Sequence, residues 1–408
     1  MRKTSTGFCN HFNFGLICCK FSLVGFFVAF LAASLFAGEG AFVPLNVHPA
    51  AAPKIRVGIF TEEQKLFVLD GRDTLSLRAS GDWVLIDSKA SKKKSKKFVA
   101  KNSGFLSASK TQKFENNYPG TLWAVAKAGK LTLVNETSVE EYLRGVVPFE
   151  IGSLDSSRYE ALKAQAVAAR TYAYRHFGSR EALGFDVFAD TRDQVYNGIP
   201  KSSALTDRAI LETSGEVLLF EGAPIEAYYH STCAGHTESP ATWGKEPVAY
   251  LTARSDLDES GKPWCAASSY MSWERSFEAK ALAKLFAENL KEAGVKKDLK
   301  FKKILNLAVE DTLAGGRIAV LSVTTDKGSF SVRGDKVRWL FKEGGKILPS
   351  SSFSVAREGS SWKIFGKGFG HGIGMCQMGA RERARRGQSY KEILEHYYSG
   401  AAIGRSAP

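Results

Sequence analysis

Cysteine is scarce where a folded body would need it. Three of the six cysteines (Cys9, Cys18 and Cys19) lie in the first twenty residues, leaving Cys233, Cys265 and Cys376 for the rest of a 408-residue chain. A disulfide-dense scaffold is thereby excluded. The familiar hydrolase signatures are missing too: there is no G-x-S-x-G and no H-E-x-x-H, so neither a serine hydrolase nor a zincin has a motif behind it. The Gly-rich stretch Gly366–Gly374 lacks the Gly-Lys-Ser/Thr end of a P-loop and does not fit G-x-G-x-x-G, which removes a nucleotide site. Acid is in deficit as well. Lys and Arg number 56 against 42 Asp and Glu, giving +14 and favouring an anionic partner. With 44% hydrophobic residues the chain can bury a sizeable core, and its length suits two or three folded units.

The N-terminus indicates the compartment. Arg2, Lys3 and Lys20 flank an uncharged run from Phe21 to Ala37, followed by small residues. As a helix that run would measure about 26 Å, near the lower limit for crossing a bilayer. A basic head, an apolar middle and a small-residue tail form the pattern of an export signal or an N-terminal anchor, assigned to residues 1–40. An uncleaved anchor is preferred, because the head is long and no clean A-x-A site follows. The body is therefore expected outside the cytoplasm, with the basic flank inside. In that compartment the run Lys89–Lys97 is a solvated loop or a contact for anionic lipid or wall polymer, not a nucleic-acid site, and no RNA-binding signature accompanies it.

The expected fold is α+β. Residues 41–53 read as a linker. Short alternating segments separated by Asp70-Gly71, Gly81-Asp82 and Ala128-Gly129 make 54–136 a β-rich region. An α/β catalytic domain is expected over 137–400. The spacing Ser157-x-x-Glu160 predicts a capping box and a helix to about His176, with Leu162, Ala166, Ala169 and Ala173 as one apolar stripe. Hairpins are expected over 215–232 and 317–334, and helices over 276–296, from near Met375, and from Ser389.

Glu150 stands among Val146, Val147, Phe149 and Ile151. Apolar surroundings disfavour the charged carboxylate, which raises its pKa and suits a general acid. His230, Cys233, His236 and Cys265 supply a Cys₂His₂ set of the kind that holds a structural zinc ion. In an oxidising compartment Cys233 and Cys265 could form a disulfide instead. Zinc is preferred, since the disulfide leaves two histidines unexplained.

Five ordered blocks carry a resemblance: EEYLRGVVPFE, EALKAQAVAARTYAY, DTRDQVYNG, AYYHSTCAGHTESPATWG and GKGFGHGIGMCQMGARERA. Spanning about Val139 to Tyr398, they resemble the SpoIID/LytB family of stage II sporulation protein D and the amidase enhancers. The resemblance implies a lytic transglycosylase that cuts peptidoglycan glycan strands, preferably strands stripped of stem peptides. It places Glu150 on the family's catalytic acid and Lys163 and Arg170 on basic residues important for activity. Candidate sugar contacts are His230, His371, Gln377, Gln194 and Tyr196. In this context the alternating glycines of 366–374 would let backbone N–H groups approach sugar. Some relatives bind zinc near His230 and others lack the cysteines, so a zinc site is permitted. The segment after Glu150 departs from the family, which often has Met there and a Trp-Pro pair before the helix. A second reading, implied by the amidase enhancers, is a glycan-binding module that stimulates a cell-wall amidase. The intact set of Glu150, Lys163 and Arg170 favours the enzyme. An amidase in its own right has no catalytic motif.

Overall fold

The computed structural model describes residues 53–70, 73–89, 91–101, 104–106, 116–296 and 299–405. The segment expected to be a signal or anchor and nearly all of the expected linker lie outside them. Among the described residues no helix is long and apolar enough to cross a membrane.

The chain is α+β, with its β-rich region first. A five-stranded sheet runs in the order Val187–Phe188, Lys54–Glu63, Lys130–Ser138, Thr121–Lys127, Lys97–Lys101. A six-stranded sheet runs Lys92–Ser95, Trp83–Asp87, Asp73–Ser80, Lys65–Asp70, Gly104–Leu106, Asn116–Asn117. Period-two burial builds both sheets: Ile55 and Val57, Leu66 and Val68, and Leu131 and Leu133 all point inward. The lysine run departs from the solvated loop expected of it. Lys92–Ser95 is an edge strand paired to Trp83–Asp87, and Lys94 and Lys96 lie over the Trp83 ring at 4.8 and 4.1 Å. Lysines on an edge strand discourage further strand pairing while their stems cover an aromatic face.

Strand Lys130–Ser138 passes directly into helix α1 (Val139–Glu150), whose N-cap Ser138 accepts the Glu141 N–H at 3.2 Å. Helix α2 (Tyr159–Arg175) packs against α1, α3 (Ala204–Glu212), α6 (Gln377–Arg385) and α7 (Tyr390–Tyr397). Every residue of α2 from Ala161 to Ala173 except Lys163 is buried, so the helix is enclosed on all sides and shows no single stripe. Six alanines in that stretch let its neighbours approach closely. The capping box expected at Ser157 does not form. Asp155 caps a short 3₁₀ turn over Ser156–Arg158, and the Glu160 carboxylate instead accepts the Tyr390 N–H at 2.8 Å. The helix expected from Ser389 forms as α7, capped reciprocally by Ser389 and Glu392.

Between Trp273 and Gly366 the chain builds a second core of its own. Helix α4 (Ala279–Asn289), the short helix α5 (Val337–Leu340) and two three-stranded sheets enclose Leu282, Phe286, Leu321, Val323, Leu340 and Ile364. Strand Trp273–Glu278 occupies the start of the helix expected over 276–296. The hairpin expected over 317–334 is present as Ile318–Thr325 and Gly328–Arg333. Trp273 pairs with Gly366, so this module enters and leaves at one place. The segment expected as a hairpin over 215–232 divides. Glu216–Phe220 pairs with Ala223–Pro224, whereas Tyr229–His230 runs parallel to Met375–Cys376 across the module's base.

Candidate active site

Glu150 is the last residue of α1, held there by the burial of Tyr142, Leu143, Val146 and Val147 along the helix. Its Oε1 accepts the Val195 N–H at 2.6 Å, and Gln377 reaches the same carboxyl. Burial pushes its pKa up from 4.5 to about 7, against the opposing pull of those two hydrogen bonds. The negative end of the α1 dipole disfavours the carboxylate further. A small polar lattice lies around it. Gln377 Nε2 donates to Gln165 Oε1 at 3.2 Å. Buried Gln194 accepts from the Tyr142 hydroxyl at 3.0 Å and donates to the Tyr229 hydroxyl oxygen at 2.9 Å. Burial, and after it the Glu150 charge, holds the Tyr229 hydroxyl protonated.

The other expected residues are distributed unevenly. Arg170 is wholly buried, and its guanidinium grips Glu140 at 2.8 and 2.7 Å and the carbonyls of Ile210 and Glu216 at 3.2 Å. Glu140 lies in the first turn of α1, about 15 Å along the helix from Glu150. Lys163 pairs with Glu212 at 2.8 Å and Glu160 at 3.2 Å. The structure thus engages both cations with other carboxylates and does not bring them to Glu150. Tyr196 is a core residue, its hydroxyl bonded to Asn135 at 2.6 Å and its ring packed on Tyr142 and Tyr118. Gln194 is fully buried and works through Tyr142 and Tyr229. Of the expected sugar contacts, Gln377 meets Glu150 directly.

His371 accepts the Ile373 N–H on Nδ1 at 3.0 Å, and its ring lies 4.9 Å from Trp243. Burial pulls it down to about 4, so it is neutral near pH 7. Trp243 borders a cleft of 660 Å³ whose other wall carries Trp339, Arg333 and Lys336. The glycine row does not leave an open cradle. A Cβ at Gly372 would strike the Arg317 guanidinium and one at Gly374 the Tyr228 carbonyl, each at 2.1 Å, so these glycines admit protein atoms.

The carboxylates that could serve as a second catalytic group are occupied. Asp193 takes the Tyr172 hydroxyl, Arg180 and the Phe188 N–H at 2.7–2.9 Å. Asp155 is exposed and bonded to Ser157 and Arg158, and Glu160 is held by Tyr390 and Lys163.

The anticipated zinc ligands are only half assembled. Cys233 and Cys265 lie together with Sγ atoms 3.6 Å apart, but the buried group around them is completed by Asp256 and Cys376, not by His230 and His236. His230 Nδ1 lies 3.2 Å from the Ile373 carbonyl oxygen, and His236 is exposed. The reason is local. Ala234 and Gly235 adopt φ of 58° and 102°, a reversal that turns His236 away from Cys233.

Sequence reasoning missed the Val195 N–H, Gln165, Tyr229, Trp243 and Asp256. All of these but Asp256 fall inside the blocks that carry the resemblance, and Cys376, also missed as a ligand, stood out as the third of three body cysteines.

Comparison with known proteins identifies the family. The SpoIID family model, stage II sporulation protein, matches residues 127–220, which include α1, α2 and Val195. A second model, a domain of unknown function (DUF8618), matches 249–374, the region of the second core. Stage II sporulation protein D of Bacillus amyloliquefaciens is 30% identical over 289 residues, covering 67% of this chain and 76% of that protein. An uncharacterized protein of Brachyspira hyodysenteriae is 32% identical over 289 residues, 70% of this chain and 72% of its own. The amidase enhancer of Bacillus subtilis is 32% identical over 292 residues, 64% of this chain, but the match spans only 40% of that longer protein. The chain belongs to the SpoIID family.

Proposed function

We propose that this chain acts on the bacterial cell wall as an exported lytic transglycosylase that cleaves peptidoglycan glycan strands, preferably those denuded of stem peptides. The observation that carries the reading is Glu150: a carboxyl poised near pH 7, with the carboxylates that could assist it bound elsewhere. A hydrolase of the usual kind needs two carboxyls about 5–9 Å apart. A transglycosylase can work with one. Protonated Glu150 gives its proton to the glycosidic oxygen leaving C1 of N-acetylmuramic acid. The resulting carboxylate takes the proton of that sugar's C6 hydroxyl as O6 bonds to C1. Glu150 ends as it began, and no water enters the product. Trp243 and Trp339 offer apolar faces for sugar rings along their cleft, where Arg333 and Lys336 outnumber Asp335 and suit an anionic strand. Export through the Phe21–Ala37 segment, as a signal or membrane anchor, would bring the site to its substrate.

The test is the chemistry of the new ends. Digestion of denuded glycan in ¹⁸O-water should yield 1,6-anhydro-N-acetylmuramic acid without label. Labelled reducing ends would overturn the mechanism. The second reading, a glycan-binding partner of a cell-wall amidase, is favoured by the similarity to an amidase enhancer. It gains if the chain releases nothing from glycan yet stimulates an amidase, and does so equally with Glu150→Gln.

A further inference from the structure

We propose that Cys233, Cys265, Cys376 and Asp256 bind one zinc ion, which fixes the N-terminus of α6 and thereby holds Gln377 against Glu150. Only two of these ligands belong to the set expected from the sequence. The proposal does not depend on the glycan chemistry.

All four ligand atoms lie within 4.8 Å of one another and all four residues are buried. Cys233 Sγ is 3.6 Å from Cys265 Sγ and 3.1 Å from Asp256 Oδ2. Tetrahedral zinc with sulfur at about 2.3 Å and oxygen at about 2.1 Å requires ligand-to-ligand separations of about 3.6–3.8 Å, so small side-chain adjustments close the shell. Three thiolates and one carboxylate form a donor set that selects zinc over hard cations.

The surroundings are built for negative sulfur. Cys376 Sγ accepts N–H groups from Cys233 at 3.3 Å and Gly379 at 3.4 Å, and Cys233 Sγ accepts one from Gly235 at 3.4 Å. Cys376 is also the N-cap of the nine-residue helix α6, where the dipole favours a thiolate. Asp256 is oriented from behind, as metal-binding carboxylates are. Its Oδ1 takes Arg383 at 2.9 Å, with His396 Nε2 at 3.3 Å; the Tyr397 hydroxyl lies between the two oxygens, 3.1 Å from Oδ1 and 3.0 Å from Oδ2, and Oδ2 also meets Cys233.

A separate observation points to the same charge. Arg317 is wholly buried, its Nε has no hydrogen-bond partner, and no carboxylate among the described residues lies within ion-pair distance of it. A buried guanidinium without an ion pair is costly. Zinc with three thiolates and a carboxylate carries two net negative charges. Arg383, bonded to Asp256, would balance one of them, and Arg317, whose charge is acted on by Asp335 and Glu238 ahead of Cys233, is a second buried cation nearby.

The ligands come from three stretches of chain: Cys233 beside Tyr229–His230, Asp256 and Cys265 ahead of the second core, and Cys376 at the start of α6. Gln377, the next residue, contacts Glu150. The ion would join these stretches directly behind the candidate acid.

The full chain, purified without chelators, should contain about one zinc per molecule. Replacement with cobalt should give the thiolate-to-cobalt charge-transfer absorption of a three-sulfur tetrahedral site. Cys376→Ser and Asp256→Asn should each weaken zinc binding by more than about tenfold. His236→Ala, a change at an exposed histidine, should leave it unaltered. Zinc-free protein with a Cys233–Cys265 disulfide mapped by mass spectrometry would overturn the proposal. So would zinc lost in His236→Ala and retained in Cys376→Ser. Should Cys376→Ser fail to fold, the metal content and cobalt spectrum of the unmutated chain decide the matter.

Discussion

Helix α1 carries a glutamate at each end, and the two are used in opposite ways. Glu140 sits in the first turn, where the helix dipole favours negative charge, and meets the buried Arg170 through two hydrogen bonds. Glu150 sits in the last turn, where the dipole opposes its charge, with one backbone N–H and one amide for company. One carboxyl is engaged in an ion pair and the other is held with its charged form disfavoured. What separates them is ten residues of helix and the partners the fold delivers to each end, not residue type.

The largest effect that would sharpen this contrast is catalytic. Glu150→Gln should lower glycan cleavage by about 10⁴-fold or more, since one residue would serve both the acid and the base step. Release of soluble muropeptide-free fragments measures it, and so small a change should not impair folding. Next comes the structural end. Glu140→Gln should destabilise the fold by about 3–5 kcal/mol, because it leaves the Arg170 charge buried without its carboxylate. Denaturant unfolding reads this loss, and Glu150→Gln should show none of it.

Linkage gives the third expectation. The folded Glu150 pKa lies above its unfolded value of 4.5, so the folded state holds the proton more tightly. Its contribution to stability is therefore present at low pH and is lost as pH rises from about 4.5 to about 7. Glu150→Gln should match the unmutated protein at pH 4 and exceed it at pH 8. At about 1.4 kcal/mol per unit of pKa, the gain is at most a few kcal/mol. Thermal melts at both pH values would expose an error in this sign. A smaller effect should follow Gln377→Met. Removing a donor that favours the carboxylate should move the fall of activity with pH about one unit upward or less. Smallest of all, Lys163→Met should cost about 0–1 kcal/mol and leave cleavage within a few-fold, as expected for a cation engaged with Glu160 and Glu212. A large loss of cleavage with unchanged stability would return Lys163 to the reaction.

Local signals in the sequence translated well. The alternation of Ile55, Val57, Leu66 and Val68 revealed the β-rich region, the Ser389–Glu392 box formed, and the apolar neighbours of Glu150 foretold its raised pKa. Signals that depended on distant partners did not. Arg170 looks like an exposed helical cation until Glu140, thirty positions earlier, is placed beside it. The spacing of His230, Cys233 and His236 suggests a chelate, yet a left-handed turn at Ala234 and Gly235 separates them, and the third thiol arrives from 143 residues away. Metal-like spacing records sequence proximity, whereas a coordination shell depends on side-chain direction.

The pairing of Trp273 with Gly366 has a consequence for the order of folding. Joining Cys233 to Cys376 across an unstructured chain closes a loop of 143 residues. If the module with its own core folds first, its base brings the two flanks together, and only about 50 residues of loose chain remain. By the logarithmic dependence on loop length this lowers the closure cost by about 1 kcal/mol. The last-formed part of the molecule would then be the region around Glu150 and Gln377. A nascent chain arrested before the module is complete has not yet made Gln377 or α6, so Glu150 should still lack that partner.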